Sequence, residues 1–242
     1  YDENILDIKG GLNDVVMNHS PIDIDKLIEG TNEILTANRN SLQLFDMLHS
    51  MRQFDDLTYV HSVNVALIAS ILGQWLKFSE KDIRILTISG LLHDIGKIMI
   101  PNEILTKPGK LTVAEYNIMK QHVNFGYEKV KNQNIDIRIK EACLLHHEKC
   151  DGTGYPFGLK SDHIPAVAKI IAIADVYDAM TSARVYRGAL CPFEVIDTMY
   201  KDAFTKFEPE YILPFLKNVA SSYINNDVRL SDGRIGKVVL IN

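Results

Sequence analysis

Apolar residues recur at helical spacing along almost the whole of this chain. Over residues 22–52, Ile24, Leu27, Ile28, Ile34 and Leu35, then Leu42, Leu44, Phe45 and Leu48, predict one or two polar-faced helices. A second stripe starts near His61 and runs through Val65, Ile68, Leu72 and Trp75 in steps of three and four, which predicts a helix reaching Leu76. Ser79 with Asp82, and Thr112 with Glu115, have the spacing at which a hydroxyl caps a helix start. One helix is therefore expected towards Leu92, and another carrying Ile118, Met119 and Val130. Further helices are expected over residues 135–149, 165–182, 192–204 and 209–221, with Pro192 and Pro209 near the first turns of the last two.

Two stretches depart from this period. DGTGYPFG at 151–158 holds three glycines and a proline and cannot continue a helix. Residues 227–242 alternate about Ser231-Asp232-Gly233, the pattern of a small β-hairpin. The expected fold is all-α, a helical bundle with N-terminal helices and a small C-terminal hairpin. Of the 242 residues, 46% are hydrophobic and 24% charged, which excludes a disordered or fibrous chain. The formal charge of −5 argues against a surface for duplex DNA or RNA, but leaves room for a small anionic ligand held by a few local cations. Three cysteines without a CxxC pair point to a reducing compartment. Residues 57–76 lack formal charge yet include Thr58, His61, Ser62, Asn64, Ser70 and Gln74, so they read as an amphipathic core helix and not a membrane segment. A start at Tyr1, with no signal-peptide pattern, reads as the beginning of a fragment.

The chemistry concentrates in histidines and aspartates on the predicted inward faces. His93-Asp94 follows Leu86 and Ser89-Gly90 on one face, and His146-His147 follows Ile139, Ala142 and Cys143 on another. His122 lies one turn beyond Ile118 and Met119, His61 opens the second stripe, and Asp175 lies inside the apolar run IIAIADVYDAM. Buried imidazoles and carboxylates are costly unless something satisfies them. Such groups without thiolate suit iron, manganese, zinc or a similar divalent metal, and seven of them suit two ions sharing a carboxylate, with iron or manganese the expected pair. His19, His49 and His163 lack that setting and read as surface or packing residues.

HDIGK at 93–97, HHEKCDGTGYPFGL at 146–159 and ADVYDAMTSARVYR at 174–187 together resemble the HD-GYP family, bacterial phosphodiesterases of cyclic di-GMP within the HD superfamily. The resemblance covers roughly residues 55–215 and implies a catalytic domain over 53–222, between an N-terminal helical segment (1–52) and the hairpin tail (223–242). It implies that His61, His93, Asp94 and Asp175 hold one metal, and that His122, His146 and His147 hold a second, with Asp94 bridging. Lys97 matches the family lysine near the scissile phosphate. Gly154, Tyr155 and Pro156 form the GYP loop, and Arg184 and Arg187 match positions that meet phosphates and guanines. Asp178, one turn after Asp175, is expected to back a ligand and not to be one. The implied reaction opens cyclic di-GMP to linear pGpG in the bacterial cytoplasm, in a chain once preceded by a sensory domain and open to homodimerisation. An HD hydrolase of another cyclic dinucleotide, or a binding module with vestigial activity, are the alternatives.

Two positions differ from the family pattern. Members holding a third metal carry a glutamate four residues before the first histidine, where this chain has Leu57. Two metals and a pGpG product are therefore expected. Cys150 stands where a bulkier residue is usual, and is expected to affect loop packing only.

Overall fold

The longest uncharged run of the sequence becomes the centre of the molecule. The computed structural model describes residues 10–11, 20–37, 57–182, 190–230 and 232–241. After α1 (Ile24–Ala37), helix α2 (Leu57–Trp75) is buried on every side from Tyr59 to Leu72. This corrects the amphipathic stripe expected there: a helix surrounded by others has no solvated face. Its polar residues His61, Ser62, Asn64 and Ser70 are buried with the rest. Among the described residues, no helix is long and apolar enough to cross a membrane.

Helix α3 (Glu80–Leu92) lies against α2 at very short range. A Cβ on Gly90 would stand 2.4 Å from the Ala66 Cα, so only glycine permits this approach. Ser79 caps α3, its Oγ accepting from the Asp82 N–H at 3.2 Å. Helix α8 (Ala166–Thr181) covers α2 from another side, and α7 (Ile137–Leu145) packs on α3. Leu27 and Ile28 of α1 enter the same core. Helices α9 (Pro192–Asp202) and α10 (Pro209–Ser222) begin with proline at their first positions, as expected, and close the bundle with Val195, Met199, Phe215 and Val219.

Between α3 and α7 the chain is more broken than its pattern predicts. A 3-10 turn (Ile95–Met99) and the one-turn helix α4 (Asn102–Leu105) precede α5 (Val113–Met119), which opens on a full Thr112–Glu115 capping box. The single helix expected through Val130 is two: α5 ends at Met119, and α6 (His122–Val130) starts after a turn in which the Gln121 N–H reaches back to the Ile118 carbonyl. The interruption has a packing reason. A Cβ on Gly96 would fall 2.0 Å from the His122 carbonyl oxygen and 2.4 Å from the Gly126 nitrogen, so α6 must come down directly onto the 3-10 turn.

The hairpin is present as β1 (Asp227–Arg229) and β2 (Ile235–Lys237), antiparallel, with Val228 opposite Gly236. The glycine-rich loop is irregular, as expected, and is closed at its base by an isolated bridge between Asp151 and Lys160.

Candidate metal centre and its cleft

His93 and Asp94 directly follow α3, His146 and His147 directly follow α7, His122 opens α6, and His61 and Asp175 lie within α2 and α8. These five places in the chain converge. Nitrogen and oxygen atoms of His61, His93 and Asp94 lie within 4.8 Å of one another, as do those of Asp94, His122, His146 and His147. Asp94 belongs to both groups. Asp175 joins them, with Oδ1 2.9 Å from His61 Nε2 and Oδ2 3.9 Å from His147 Nδ1.

Hydrogen bonds decide which nitrogen of each ring faces inward. The Nδ1 atoms of His93, His122 and His146 donate to the carbonyls of Gly90 (2.7 Å), Met119 (2.8 Å) and Ala142 (3.0 Å). A carbonyl only accepts, so Nδ1 carries the proton and Nε2 presents a bare lone pair. The break between α5 and α6 frees the Met119 carbonyl for this purpose. His93 Nε2 stands 3.2 Å from Asp94 Oδ2, and His122 Nε2 stands 3.3 Å from Asp94 Oδ1 and 3.4 Å from His146 Nε2. Lone pairs thus face lone pairs in a buried interior. His93 Nε2 and Asp94 Oδ1 are buried without any hydrogen-bond partner. A cation is what such an arrangement accepts, and imidazole with carboxylate suits a divalent metal.

His61 is held differently. Its Nδ1 donates to Asp178 Oδ2 at 2.6 Å while Nε2 meets Asp175, and Asp178 also accepts from Asn64 Nδ2 at 2.9 Å and from the Ser182 hydroxyl at 3.2 Å. Asp178 therefore backs His61, the position expected for it. Burial works to lower the His61 pKa, but the hydrogen bonds to Asp175 and Asp178 outweigh it and raise the ring to about 9. The other imidazoles move the opposite way. Burial lowers His122, carries His147 down to about 3, and together with the charges of His147 and His93 pushes His146 well below its usual value. Burial would raise both aspartates; the Lys97 charge and the neighbouring histidines hold Asp94 well below the usual carboxylate range, and His61 does the same for Asp175.

Lys97 leaves the 3-10 turn and ion-pairs with Asp94 Oδ2. It also lines a cleft of about 540 Å³ together with His122, His147, Tyr155, Tyr116 and Lys110. The Tyr155 ring stacks on His147, with centroids 4.7 Å apart and planes at 26°. Gly154 makes that possible: a Cβ there would lie 2.4 Å from the Lys149 nitrogen and 2.6 Å from the His147 carbonyl oxygen. Pro156 follows through a cis peptide bond. Arg184 and Arg187 lie outside the described residues, as do His19, His49, Asp55 and Asp56 and the side chain of Leu57. His163 is exposed and pairs with its neighbour Asp162. Cys150 sits in the loop base, where its N–H donates to the Lys206 carbonyl and its carbonyl accepts from the Ser161 N–H.

One residue missed in the sequence reading organises this wall. Glu148, only 4% exposed, accepts from the backbone N–H groups of Phe157 (2.7 Å), Gly158 (3.2 Å) and Leu159 (2.9 Å). A carboxylate directly after the histidine pair, nine residues before a turn with free N–H groups, was the available signal. The Lys107, Lys110 and Tyr116 side of the cleft was also missed, because no local period marks it.

The HD domain family profile matches residues 28–211. The chain is 37% identical over 190 residues to the cyclic di-GMP phosphodiesterase PA4108 of Pseudomonas aeruginosa, a match covering 78% of this chain and 46% of the relative. It is 36% identical to the cyclic di-GMP phosphodiesterase of Thermotoga maritima, over 73% of this chain and 48% of that protein. A 3′3′-cGAMP-specific phosphodiesterase of Vibrio cholerae is 32% identical, with 76% and 36% covered. The chain thus spans about half, or less, of the length of the curated relatives it matches. Among solved structures, Bd1817, an HDG"Y"P protein from Bdellovibrio bacteriovorus, superposes with a TM-score of 0.72 at 18% identity, over 90% of this chain and 69% of that one. The HD domain of the L. monocytogenes phosphodiesterase PgpH, solved in complex with cyclic-di-AMP, gives 0.52 at 18% identity, over 74% and 97%.

Proposed function

This chain belongs to the HD-domain family, in its HD-GYP branch, and from that premise we propose that it is a metal-dependent phosphodiesterase that opens cyclic di-GMP to linear pGpG. The observation that carries the reading is the pair of ligand groups sharing Asp94 beside a cleft lined by Lys97. His61, His93, Asp94 and Asp175 would hold one ion, and Asp94, His122, His146 and His147 the other, with iron or manganese the metals proposed among the divalent ions such a donor set accepts. Bound there, the ions supply Lewis acidity to the phosphate and lower the pKa of water.

The protein's own groups do the rest. The backbone carbonyls behind His93, His122 and His146 hold each Nε2 in place before any ion arrives, so little reorganisation is needed. Asp178 orients His61 in the same way. Water adds to phosphorus in line with the 3′ oxygen, the P–O3′ bond breaks, and a proton reaches that oxygen. Lys97, the cation nearest the shared carboxylate, is placed to stabilise the charge developing there or to donate that proton. Tyr155, stacked on His147, offers its outer face to a base.

The test is metal analysis of the purified chain together with chromatography of its products from cyclic di-GMP, 3′3′-cGAMP and cyclic di-AMP. Two ions per chain and preferential conversion of cyclic di-GMP to pGpG are expected. Preferential cleavage of 3′3′-cGAMP would move the substrate assignment to that of the Vibrio relatives. Binding without turnover would reduce the chain to a sensing module. Leu57→Glu addresses the metal count, since it restores an oxygen donor one turn before His61 and should raise the ions bound from two to three. Three ions in the unsubstituted chain would refute the two-metal reading.

A further inference from the structure

The cleft extends past the metal groups to a wall that the reaction at phosphorus does not use. Ile104, Leu105, Lys107, Gly109, Lys110 and Leu111 form it, on the end of α4 and the segment that joins it to α5. Its two lysines differ in availability. Lys107 is spent: its Nζ contacts both Glu115 oxygens, at 2.8 and 2.6 Å. The Lys107 ammonium, with the N–H and hydroxyl of Thr112, holds the Glu115 carboxyl down at about 2. Lys110 is exposed and forms no ion pair among the described residues. Gly109, at φ +128°, makes the turn between them with a conformation that side chains disfavour. Tyr116 stands across from it, half exposed, edge-on to Tyr155 with centroids 6.5 Å apart, and Lys120 lies over both rings at 5.3 and 6.0 Å.

A cyclic dinucleotide carries two phosphodiesters on opposite sides of one ring. When one lies at the metals, the other and its purine must rest elsewhere in the cleft. A phosphodiester anion is favoured beside a cation with no other partner, and a purine beside an aromatic face. We infer that Lys110 and Tyr116 form the subsite for the half of the cyclic dinucleotide that is not cut, Lys110 meeting the intact phosphodiester and Tyr116 its base. The inference rests on the phosphodiesterase reading and adds to it which half of the substrate sits where.

The experiment compares the full, metal-loaded chain with its Lys110→Gln and Tyr116→Leu variants on two substrates: cyclic di-GMP, and bis(p-nitrophenyl) phosphate, a diester with no second phosphate. Both positions are on the surface, and circular dichroism confirms that the variants fold. Loss of one charged contact should lower kcat/KM for cyclic di-GMP roughly tenfold more than for the small diester, mainly through KM. Parallel losses on both substrates, or no loss on either, would overturn the subsite. If the unsubstituted protein cleaved neither diester, the phosphodiesterase reading would fail by itself. The subsite would then be judged by calorimetric binding of cyclic di-GMP, where a roughly tenfold weaker Lys110→Gln variant supports it and equal affinity refutes it.

Discussion

The two ligand groups share one carboxylate and, His93 apart, whose Nδ1 donates to the Gly90 carbonyl, are held in different ways. The group around His61 is stitched by acids: its ring lies between Asp175 and Asp178 and is driven towards the charged form. The group around His146 is stitched by main chain: His122 and His146 each give their only proton to a carbonyl, and burial keeps the rings neutral. The first plan stores compensating charge near the ion. The second stores geometry. A buried imidazole can thus be prepared for a metal either by a carboxylate behind it or by a helix end behind it, and this chain uses both within a few ångströms.

The sharpest way to break the comparison is through the residue the two groups have in common. Asp94→Ala should strip both ions and abolish turnover, with helical content retained, as measured by metal analysis beside circular dichroism. Two ions retained per chain would show that the groups do not depend on a shared carboxylate. Lys97 belongs to neither group but touches the shared residue. Lys97→Ala should lower kcat by roughly two to three orders of magnitude with metal content unchanged, and an unaltered kcat would leave it a surface lysine at a helix end.

Two further substitutions act on one group each. Asp178→Asn removes the acid behind His61 alone and should weaken binding of one ion roughly tenfold to a hundredfold, leaving the other in place; metal titration followed by calorimetry would resolve the two steps. Equal weakening of both would deny the separateness of the groups. Glu148→Gln loosens only the wall over His147, replacing an acceptor of three N–H groups by an amide that can satisfy fewer. A rise in KM of roughly threefold to tenfold is expected, with the ion held by His61 unaffected. A change in kcat without a change in KM would place Glu148 outside this role.

The contrast also explains what could be read from sequence. The His146 group was legible because its histidines continue apolar stripes at helical spacing, Ile139, Ala142 and Cys143 before His146-His147, and Ile118 and Met119 before His122. His61 and Asp175 were legible as polar residues in apolar runs, and Asp178 as one turn further along. What stayed hidden depends on contacts between distant segments. The total burial of α2 follows from neighbours far along the chain, so its polar residues passed for a solvated face. The break at Lys120 and Gln121 is imposed by the approach of Gly126 to Gly96, which leaves no trace in the apolar period. Glu148 looked like part of a motif and not a clamp, because its three partners are backbone groups of a turn whose shape no pattern encodes.

That contact between Gly96 and α6 also separates two kinds of evolutionary freedom. Asp94 lies two residues before the first glycine and His122 four before the second, so the contact helps set their mutual placement. The chain between them leaves the centre after Met99 and returns at His122 with both ends pinned, and lengthening a closed loop costs only slowly growing entropy. Changes of length between Ile104 and Met119 are therefore expected to leave Asp94 and His122 in place, provided the Met119 carbonyl stays on His122 Nδ1. The wall on that side of the cleft can thus change its side chains while the residues proposed to hold the metals keep their places.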